Sequence, residues 1–200
     1  MTRIALALPL CLAVSPFAAS PLAADSLDDQ ATAAFKAAFA EACTAAFAED
    51  GSLIAPPERH EAKAAASFGE PQPVTLWQFT CNMGAYNLQS VVLIRTEFYG
   101  ITPLAFARPD LTLVYEVPDD PESKVTEVKI AGWSASPFLT NGGFDPATGE
   151  FSEDSKWRGL GDASSSARWR LVDEGARLVQ YDVDASYDEA VNPETLVRFE

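Results

Sequence analysis

Apolar residues recur at two different intervals along the chain, and the interval changes near residue 74. The N-terminal apolar residues that stand four positions apart are Phe35, Phe39, Cys43 and Phe47. This spacing places them on one face of an α-helix, predicted over residues 25–49. Ser26 or Asp28 can cap its start, because a short oxygen side chain accepts an unpaired backbone N–H. Gly51 is expected to end the helix, and the apolar face should pack against the rest of the chain.

From Val74 onward the apolar period is two, with many β-branched and aromatic residues, which is typical of strands. The segments with this pattern are 74–81, 90–98, 111–117, 124–133, 149–157, 167–172, 176–185 and 195–199. Turn residues separate them, and Gly175 stands where a hairpin needs a positive φ. Residues 50–73, rich in Pro and Ala, predict a connector with at most one helical turn.

The expected fold class is therefore α+β. One N-terminal helix packs on a predominantly antiparallel β-rich domain of residues 74–200. The strands could form a meander, a sandwich-like pair of sheets or an open barrel.

Residues 1–24 have the layout of a secretory signal peptide. Arg3 precedes an apolar run, and small residues follow before the first acid, Asp25. Prolines interrupt the run, so a membrane-spanning helix is the weaker interpretation. Cleavage after Ala24 is expected, with Ser20 as the alternative, and no transmembrane segment should remain. The predicted location is periplasmic or secreted.

The charge of the chain limits the partners it can bind. The full sequence has 14 Lys and Arg against 29 Asp and Glu. Loss of Arg3 with the signal leaves 13 cations against 29 acids, a net charge of −16. Such a charge repels nucleic acid and anionic membranes, whereas it steers cationic partners toward the protein.

Two cysteines, Cys43 and Cys81, remain after removal of Cys11 with the signal. Their even number and an oxidising compartment predict a disulfide. Closing a loop of about 39 residues would stabilise the fold by ~4 kcal/mol. Two separate buried thiols are the alternative.

The residues required by common active sites are scarce, so no cofactor or metal is expected. Zinc needs three or four His or Cys ligands, and the chain has one histidine, His60, in the predicted solvated connector. A Ser-His-Asp hydrolase lacks both a nearby base and a G-x-S-x-G turn. The segment GLGDAS resembles a dinucleotide fingerprint, but a strand follows it instead of the required helix.

The segment QYDVDASYDE partly matches the pattern of a calcium-binding loop. Asp182, Asp184, Ser186 and Asp188 occupy the first, third, fifth and seventh positions of such a loop. Tyr187 stands where the loop needs Gly, and the bidentate Glu of the twelfth position is missing. A strand with Asp182 and Asp184 on one solvated face is the preferred interpretation.

Several motifs resemble the C-terminal half of an uncharacterised family of proteobacterial secreted proteins, catalogued as a domain of unknown function. They are LWQFTCNMGAYN at 76–87, FDPATGEFSEDSKWRGLGD at 144–162 and the following SARWRLVDEGARLVQYDV. The resemblance covers roughly residues 74–199. It supports the fold and the exported location but implies no mechanism.

The chain departs from this family pattern in two respects. Ala163 replaces a family Cys, and the region near Tyr187 also lacks one, which is consistent with loss of a second disulfide as a unit. The family's longer N-terminal half is replaced by the Phe-striped helix, so the properties of that half do not transfer.

The sequence favours a non-catalytic domain that binds a periplasmic protein, an envelope polymer or a small ligand. The candidate ligand surface comprises Tyr86 and Asn87 in the GAYN turn and Arg158 and Asp162 in the segment KWRGLGDASSSARW, because binding residues concentrate in turns. Bracing of these turns is the competing role. One concrete version is inhibition of a basic lysozyme. The alternative function is an envelope hydrolase that uses two facing carboxylates.

Overall fold

The computed structural model describes residues 26–121 and 123–199. The predicted signal segment lies outside the described residues. The helical elements are α1, Leu27–Phe39, and a short 3₁₀ turn, Thr44–Ala46. The strands are β1 Glu58–Ala64, β2 Gln72–Met83, β3 Leu88–Thr96, β4 Gly100–Pro103, β5 Phe106–Tyr115, β6 Val125–Ser136, β7 Phe138–Thr140, β8 Gly143–Asp145, β9 Glu150–Lys156, β10 Ser164–Val172, β11 Gly175–Asp184 and β12 Glu194–Arg198.

The strands form two open sheets that are dominated by antiparallel pairs, so the α+β prediction is confirmed. The first sheet has the order β1-β2-β3-β4, with β7 beside β3. The second has the order β6-β5-β11-β10-β9-β8, with β12 beside β11. The β5–β11 contact is parallel and consists of a single pair, Ala176 with Phe106.

The first sheet is buried on both faces because it lies between α1 and the second sheet. One face of β2 and β3 contributes Trp77, Phe79 and Leu93 to a core with α1. The other face contributes Leu76 and Ile94 to a larger core shared with the second sheet. Burial on both faces explains why β2 and β3 read as nearly continuous apolar runs.

Helix α1 begins as its sequence predicts but ends earlier. The Ser26 hydroxyl accepts the Asp29 N–H at 3.1 Å, and the Asp29 carboxylate accepts from Ser26 in return, which makes a capping box. The helix ends at Phe39 and not near Gly51. Beyond it, Cys43 is drawn to β2 by the disulfide with Cys81, which confirms the predicted pairing.

The segment predicted to be a connector contains β1, so this part of the prediction is wrong. The Cα partners of Arg59, Glu61 and Lys63 on β2 run antiparallel from Trp77 to Pro73. The inward positions of β1 are His60, Ala62 and Ala64, which form a weak apolar pattern. Pairing with β2 specifies this strand rather than its own composition.

No helix in residues 26–121 and 123–199 is long and apolar enough to cross a membrane.

Candidate functional site

The predicted ligand residues of the GAYN turn are used to join the two sheets. This turn connects β2 to β3, and the Gly84 N–H donates to the Asn87 carbonyl at 2.8 Å. The Asn87 side chain donates to the Lys156 carbonyl at 2.8 Å and accepts the Lys156 N–H at 3.2 Å. The Tyr86 hydroxyl lies 3.3 Å from the carbonyl of Trp157. The Asn87 side chain therefore makes with Lys156, the last residue of β9, the two backbone hydrogen bonds that a neighbouring strand would make.

Arg158 and Asp162 form an ion pair across the bend between β9 and β10. The Arg158 Nε donates to Asp162 Oδ1 at 2.7 Å, and the N–H of Glu189 donates to Oδ2 at 2.9 Å. The Arg158 guanidinium also lies over the ring of Tyr187, 5.1 Å from its centroid. Because Asp162 is buried and its oxygens are occupied, this pair braces the bend.

The two groups of predicted ligand residues are neighbours, and each is occupied by hydrogen bonds of its own. Gly159, in the bend, lies close to the Tyr86 ring. No hydrogen bond within residues 26–121 and 123–199 joins Tyr86 or Asn87 to Arg158 or Asp162. Their role as a ligand surface remains a prediction without further support from this geometry.

Replacing Asp162 with Asn is expected to lower the melting temperature at pH 7. The Arg158 guanidinium and the N–H of Glu189 hold the pKa of Asp162 far below its ordinary value. A carboxylate with a depressed pKa stabilises the fold above its unfolded pKa of about 3.9, and this contribution is lost as the pH falls through the folded pKa. The difference from wild type should therefore shrink between pH 4 and pH 2.

Thermal unfolding across this pH range measures the effect. Asp110→Asn serves as the control, since Asp110 is exposed. A melting-temperature deficit for Asp162→Asn that stays constant from pH 7 to pH 2 would contradict the assignment of this ion pair.

Asp184, the last residue of β11, holds the loop that follows this strand through its carboxylate. The expectation of a solvated Asp184 is wrong, because only 3% of this residue is exposed. Its carboxylate accepts from the N–H and hydroxyl of Ser186 and from the N–H of Asn192 at 2.7–3.0 Å. Burial opposes ionisation, yet these donors hold the pKa of Asp184 below its ordinary value.

Asp182, two positions earlier on β11, is half-buried, and its carboxylate accepts hydrogen bonds from Thr195 and Gln180. No cluster of three potential metal ligands occurs among the described residues.

His60 is half-buried, and the expectation that it lies in a solvated connector is wrong. It belongs to β1, and its side chain is 13% exposed. The ring packs edge-on against Phe144 at 5.5 Å between centroids. Its Nε2 lies 3.3 Å from Glu58 Oε1, in a geometry that makes no hydrogen bond. The contacts are those of a packed side chain at a sheet edge.

Sequence reasoning missed a buried ion pair between Arg108 on β5 and Glu153 on β9. The side chain of Glu153 is 3% exposed, and the Thr140 N–H donates to it at 2.8 Å. Burial raises the pKa of Glu153 despite the opposing effects of Arg108 and this N–H. One feature of the sequence indicates this burial. Glu153 stands two positions after Phe151 on β9, so both side chains lie on the inward face of the strand. Glu153 is enclosed and paired, so this geometry does not favour the hydrolase alternative.

Three loops that are distant in sequence meet at one end of the two sheets. They are residues 65–71 between β1 and β2, 97–99 between β3 and β4, and 173–174 between β10 and β11. A cavity of about 120 Å³ lies between them, and its walls include Phe68, Glu97, Phe98 and Glu174. We call this feature the aromatic cleft, and Tyr99 lies next to it in the chain.

The aromatic side chains of this end are turned to solvent. Phe68 is 94% exposed, Phe98 77% and Tyr99 69%. Exposed large apolar groups concentrated in one place are a mark of interaction sites. The sequence signal was the aromatic residue beside a glycine in SFGE and EFYG, of which the second was assigned to the end of a strand.

Asp173 fixes one wall of the aromatic cleft. Its carboxylate accepts from the N–H and hydroxyl of Ser67 at 2.8 and 2.7 Å, and its own N–H donates to the Ala65 carbonyl at 2.6 Å. The bonds from Ser67 hold the pKa of Asp173 below its ordinary value. Gly69, with φ +82°, reverses the chain directly after Phe68. The loop that carries Phe68 is therefore held in place before any partner arrives.

The walls of the cleft are acidic. Glu97 and Glu174 are exposed, and neither forms an ion pair within the described parts of the chain. Arg177 lies nearby, but it contacts Asp173 at 3.8 Å and Ser67 at 3.1 Å. The arrangement presents apolar rings with two carboxylates and suits a ligand that is both apolar and cationic.

Comparison with protein families gives a match over most of the chain. A family model described as "Protein of unknown function (DUF1176)" matches residues 11–188. The match begins well before residue 74, so it includes α1 and β1 as well as the segments with the family-like motifs. No curated protein and no solved structure matches the chain.

Proposed function

Because the chain belongs to the DUF1176 family, whose function is unknown, we propose its role from its surface: an exported, non-catalytic domain that binds a basic protein through the aromatic cleft. The observation that carries this proposal is a cavity lined by two solvent-exposed aromatic rings, those of Phe68 and Phe98, together with the carboxylates of Glu97 and Glu174. Exposed Tyr99 follows Phe98 in the chain. Inhibition of a basic lysozyme is the concrete case.

Export is supported by two features. Residues 1–24 have the order of charged, apolar and small residues of a signal peptide. Cys43 and Cys81 form a disulfide, and such bonds persist in oxidising compartments. A basic enzyme that acts on the envelope would be encountered there.

The aromatic rings are suited to anchor a protein partner. A buried aromatic side chain contributes about 150–250 Å² of contact, and interfaces draw most of their affinity from a few such residues. Phe68 and Phe98 stand on loops held by hydrogen bonds, so little conformational entropy is lost when they are covered. A small cavity between them would accept one side chain of the partner.

Charge selects which partner this end would bind. The formal net charge of the chain is −15, and Glu97 and Glu174 add local negative potential at the cleft. Opposite charge accelerates association, whereas nucleic acid and anionic membranes are repelled. An arginine or lysine side chain fits both the aromatic rings and the carboxylates, since cations bind favourably over aromatic faces.

Replacing Phe68 and Phe98 together with Ala is expected to weaken binding of a basic lysozyme by tenfold or more, because two anchors are removed. The dissociation constant, measured by calorimetry, and the residual lysozyme activity report this loss. Phe199→Ala is the matched control, because Phe199 is exposed at 53% outside the cleft. Glu97→Gln with Glu174→Gln should mainly slow association and reduce its dependence on salt.

A photo-crosslinking residue at position 98 tests the proposal without assuming the partner. In exporting cells it should join the chain to a basic protein, whereas the same residue at position 199 should not. No product at position 98, or the same products from both positions, would overturn the cleft as a binding site. A basic protein other than lysozyme would retain the site and reject only the lysozyme case.

A further inference from the structure

Three arginines lie on the outer face of the second sheet. Arg168 and Arg170 are exposed on β10, where they alternate with buried Trp169. Arg168 stands opposite Gln180 on β11, and Gln180 stands opposite Arg198 on β12. Since opposite residues share a face of a sheet, Arg168, Gln180 and Arg198 form a row across three strands. This concentration of cations is unexpected in a chain with a net charge of −15.

Two guanidinium groups converge on a neutral oxygen in this row. The Arg168 Nη2 donates to Gln180 Oε1 at 2.8 Å, and the Arg198 Nη2 donates to the same oxygen at 3.1 Å. The amide nitrogen of Gln180 donates to Asp182 at 2.6 Å. An uncharged acceptor thus lies between two guanidinium groups, and the carboxylate bound to the Gln180 amide, that of Asp182, stands two residues further along β11.

The third arginine shares a carboxylate with the first. Glu150 on β9 accepts from Arg168 and Arg170, both at 3.2 Å. Its side chain is 18% exposed, while those of Arg168 and Arg170 are 49% and 50% exposed. One carboxylate therefore serves two arginines at one end of the row, and Arg198 at the other end has no acidic partner within the described residues.

The guanidinium groups keep donors for a ligand. Each carries five N–H groups, and Arg168 uses two nitrogens while Arg198 uses one in the contacts above. Planar guanidinium groups bind carboxylate and phosphate in paired hydrogen bonds. The Cα atoms of Arg168 and Arg198 are separated by two strand spacings, about 10 Å, and those of Arg168 and Arg170 by about 7 Å.

We use the name arginine row for three residues: Arg168, Arg170 and Arg198. We propose that the arginine row binds an oligomeric ligand through the anionic oxygens of its phosphate or carboxylate groups. The convergence of Arg168 and Arg198 on Gln180 marks where the first group binds, and Arg170 contacts the next. This site is independent of the aromatic cleft, whose preference is for a cation. Arg198 also lies beyond residues 11–188, the part of the chain that the family model matches.

Titration with two anionic probes tests the arginine row at about 0.15 M salt, where a Debye length of about 8 Å screens the long-range repulsion by the net charge of the chain. Inorganic polyphosphate represents phosphate groups, and oligogalacturonate represents carboxylate groups; the tighter probe identifies the chemistry of the ligand. The double variant Arg168→Gln/Arg198→Gln should weaken the tighter probe by tenfold or more, because two charge-assisted contacts are lost. Its melting temperature is measured to confirm that it is folded.

The matched control is Lys63→Gln/Lys129→Gln, which changes the net charge equally but alters exposed lysines elsewhere. It should weaken either probe less than threefold, and Phe68→Ala/Phe98→Ala should have no effect on them. The arginine row would be overturned as a site if the wild type bound neither probe, or if the lysine control lost as much affinity as the arginine variant.

Discussion

Replacing Arg108 with Ala is expected to lower the free energy of unfolding by about 3–5 kcal/mol, because it leaves the buried carboxyl of Glu153 without its cation. Arg108 on β5 pairs with Glu153 on β9 and also donates to the Phe138 carbonyl at 2.5 Å. Its guanidinium lies over the ring of buried Trp169, 5.7 Å from the centroid. A single substitution thus disrupts contacts between β5, β9 and β10.

The pH dependence of this variant identifies the cause of the loss. Burial already raises the pKa of Glu153, and removal of Arg108 should raise this pKa further. A carboxyl with a raised folded pKa contributes stability that is fully present below the unfolded pKa, about 4.3, and is lost as the pH rises through the folded pKa. The deficit of Arg108→Ala should therefore be small near pH 4 and larger at pH 7.

Urea unfolding of three variants at both pH values provides the measurement. Glu153→Gln in the Arg108→Ala background should recover part of the loss at pH 7, because the uncompensated charge is gone. Arg108→Met/Glu153→Leu should approach wild-type stability, since well-packed apolar residues can replace a buried ion pair. If Arg108→Ala were equally destabilised at pH 4 and pH 7, lost packing would explain the effect and the account of the charge would be wrong.

Replacing Cys43 and Cys81 with Ala should lower the free energy of unfolding by about 4 kcal/mol, the entropy of closing a loop of this length. The cysteines are 38 positions apart in the chain. Cys43 follows α1, Cys81 lies on β2, and both are fully buried. The residues joined to the sheet by this bond include Phe35, which stacks on Phe79 at 4.3 Å between centroids. Ala is preferred to Ser because a buried hydroxyl would add a cost of its own.

Unfolding of the variant and of the reduced wild-type protein is compared by fluorescence. Both should lose similar free energies, and adding a reductant should not change the variant. Without the disulfide, α1 keeps only its packing contacts, so its far-UV circular-dichroism signal should be lost at a lower denaturant concentration than the fluorescence signal of the sheets. A loss below 1 kcal/mol would mean that packing alone holds α1, in conflict with the role given to the disulfide.

The elements that could be predicted are those whose own residues carry a periodic signal. Helix α1 has its capping residues at Ser26 and Asp29, and the long strands alternate apolar with polar residues. Strand β1 was missed because Ala62 and Ala64 favour a helix, and its conformation depends on pairing with β2. The short strands β4, β7 and β8 were missed since three or four residues contain too little periodicity.

The candidate site was less accessible to sequence reasoning. Turn position correctly identified Tyr86, Asn87, Arg158 and Asp162 as polar residues in bends, but it could not reveal that their donors and acceptors were already used by neighbouring segments. Conversely, Phe98 was assigned to a strand, whereas it stands exposed in a turn. Whether a polar or aromatic group is available to a ligand depends on contacts with residues far away in the chain.

Local sequence was sufficient to predict the α+β class, the disulfide, the start of the helix and most of the long strands, because periodicity and cysteine count can be read directly from the chain. Which faces are buried and which distant side chains meet became visible only in the folded protein. Phe68, Phe98 and Glu174 come together because three separate loops converge at one end of the sheets. Arg168 and Arg198 meet across β11 because strand register aligns them. Such meetings arise from long-range packing, which no short stretch of sequence encodes.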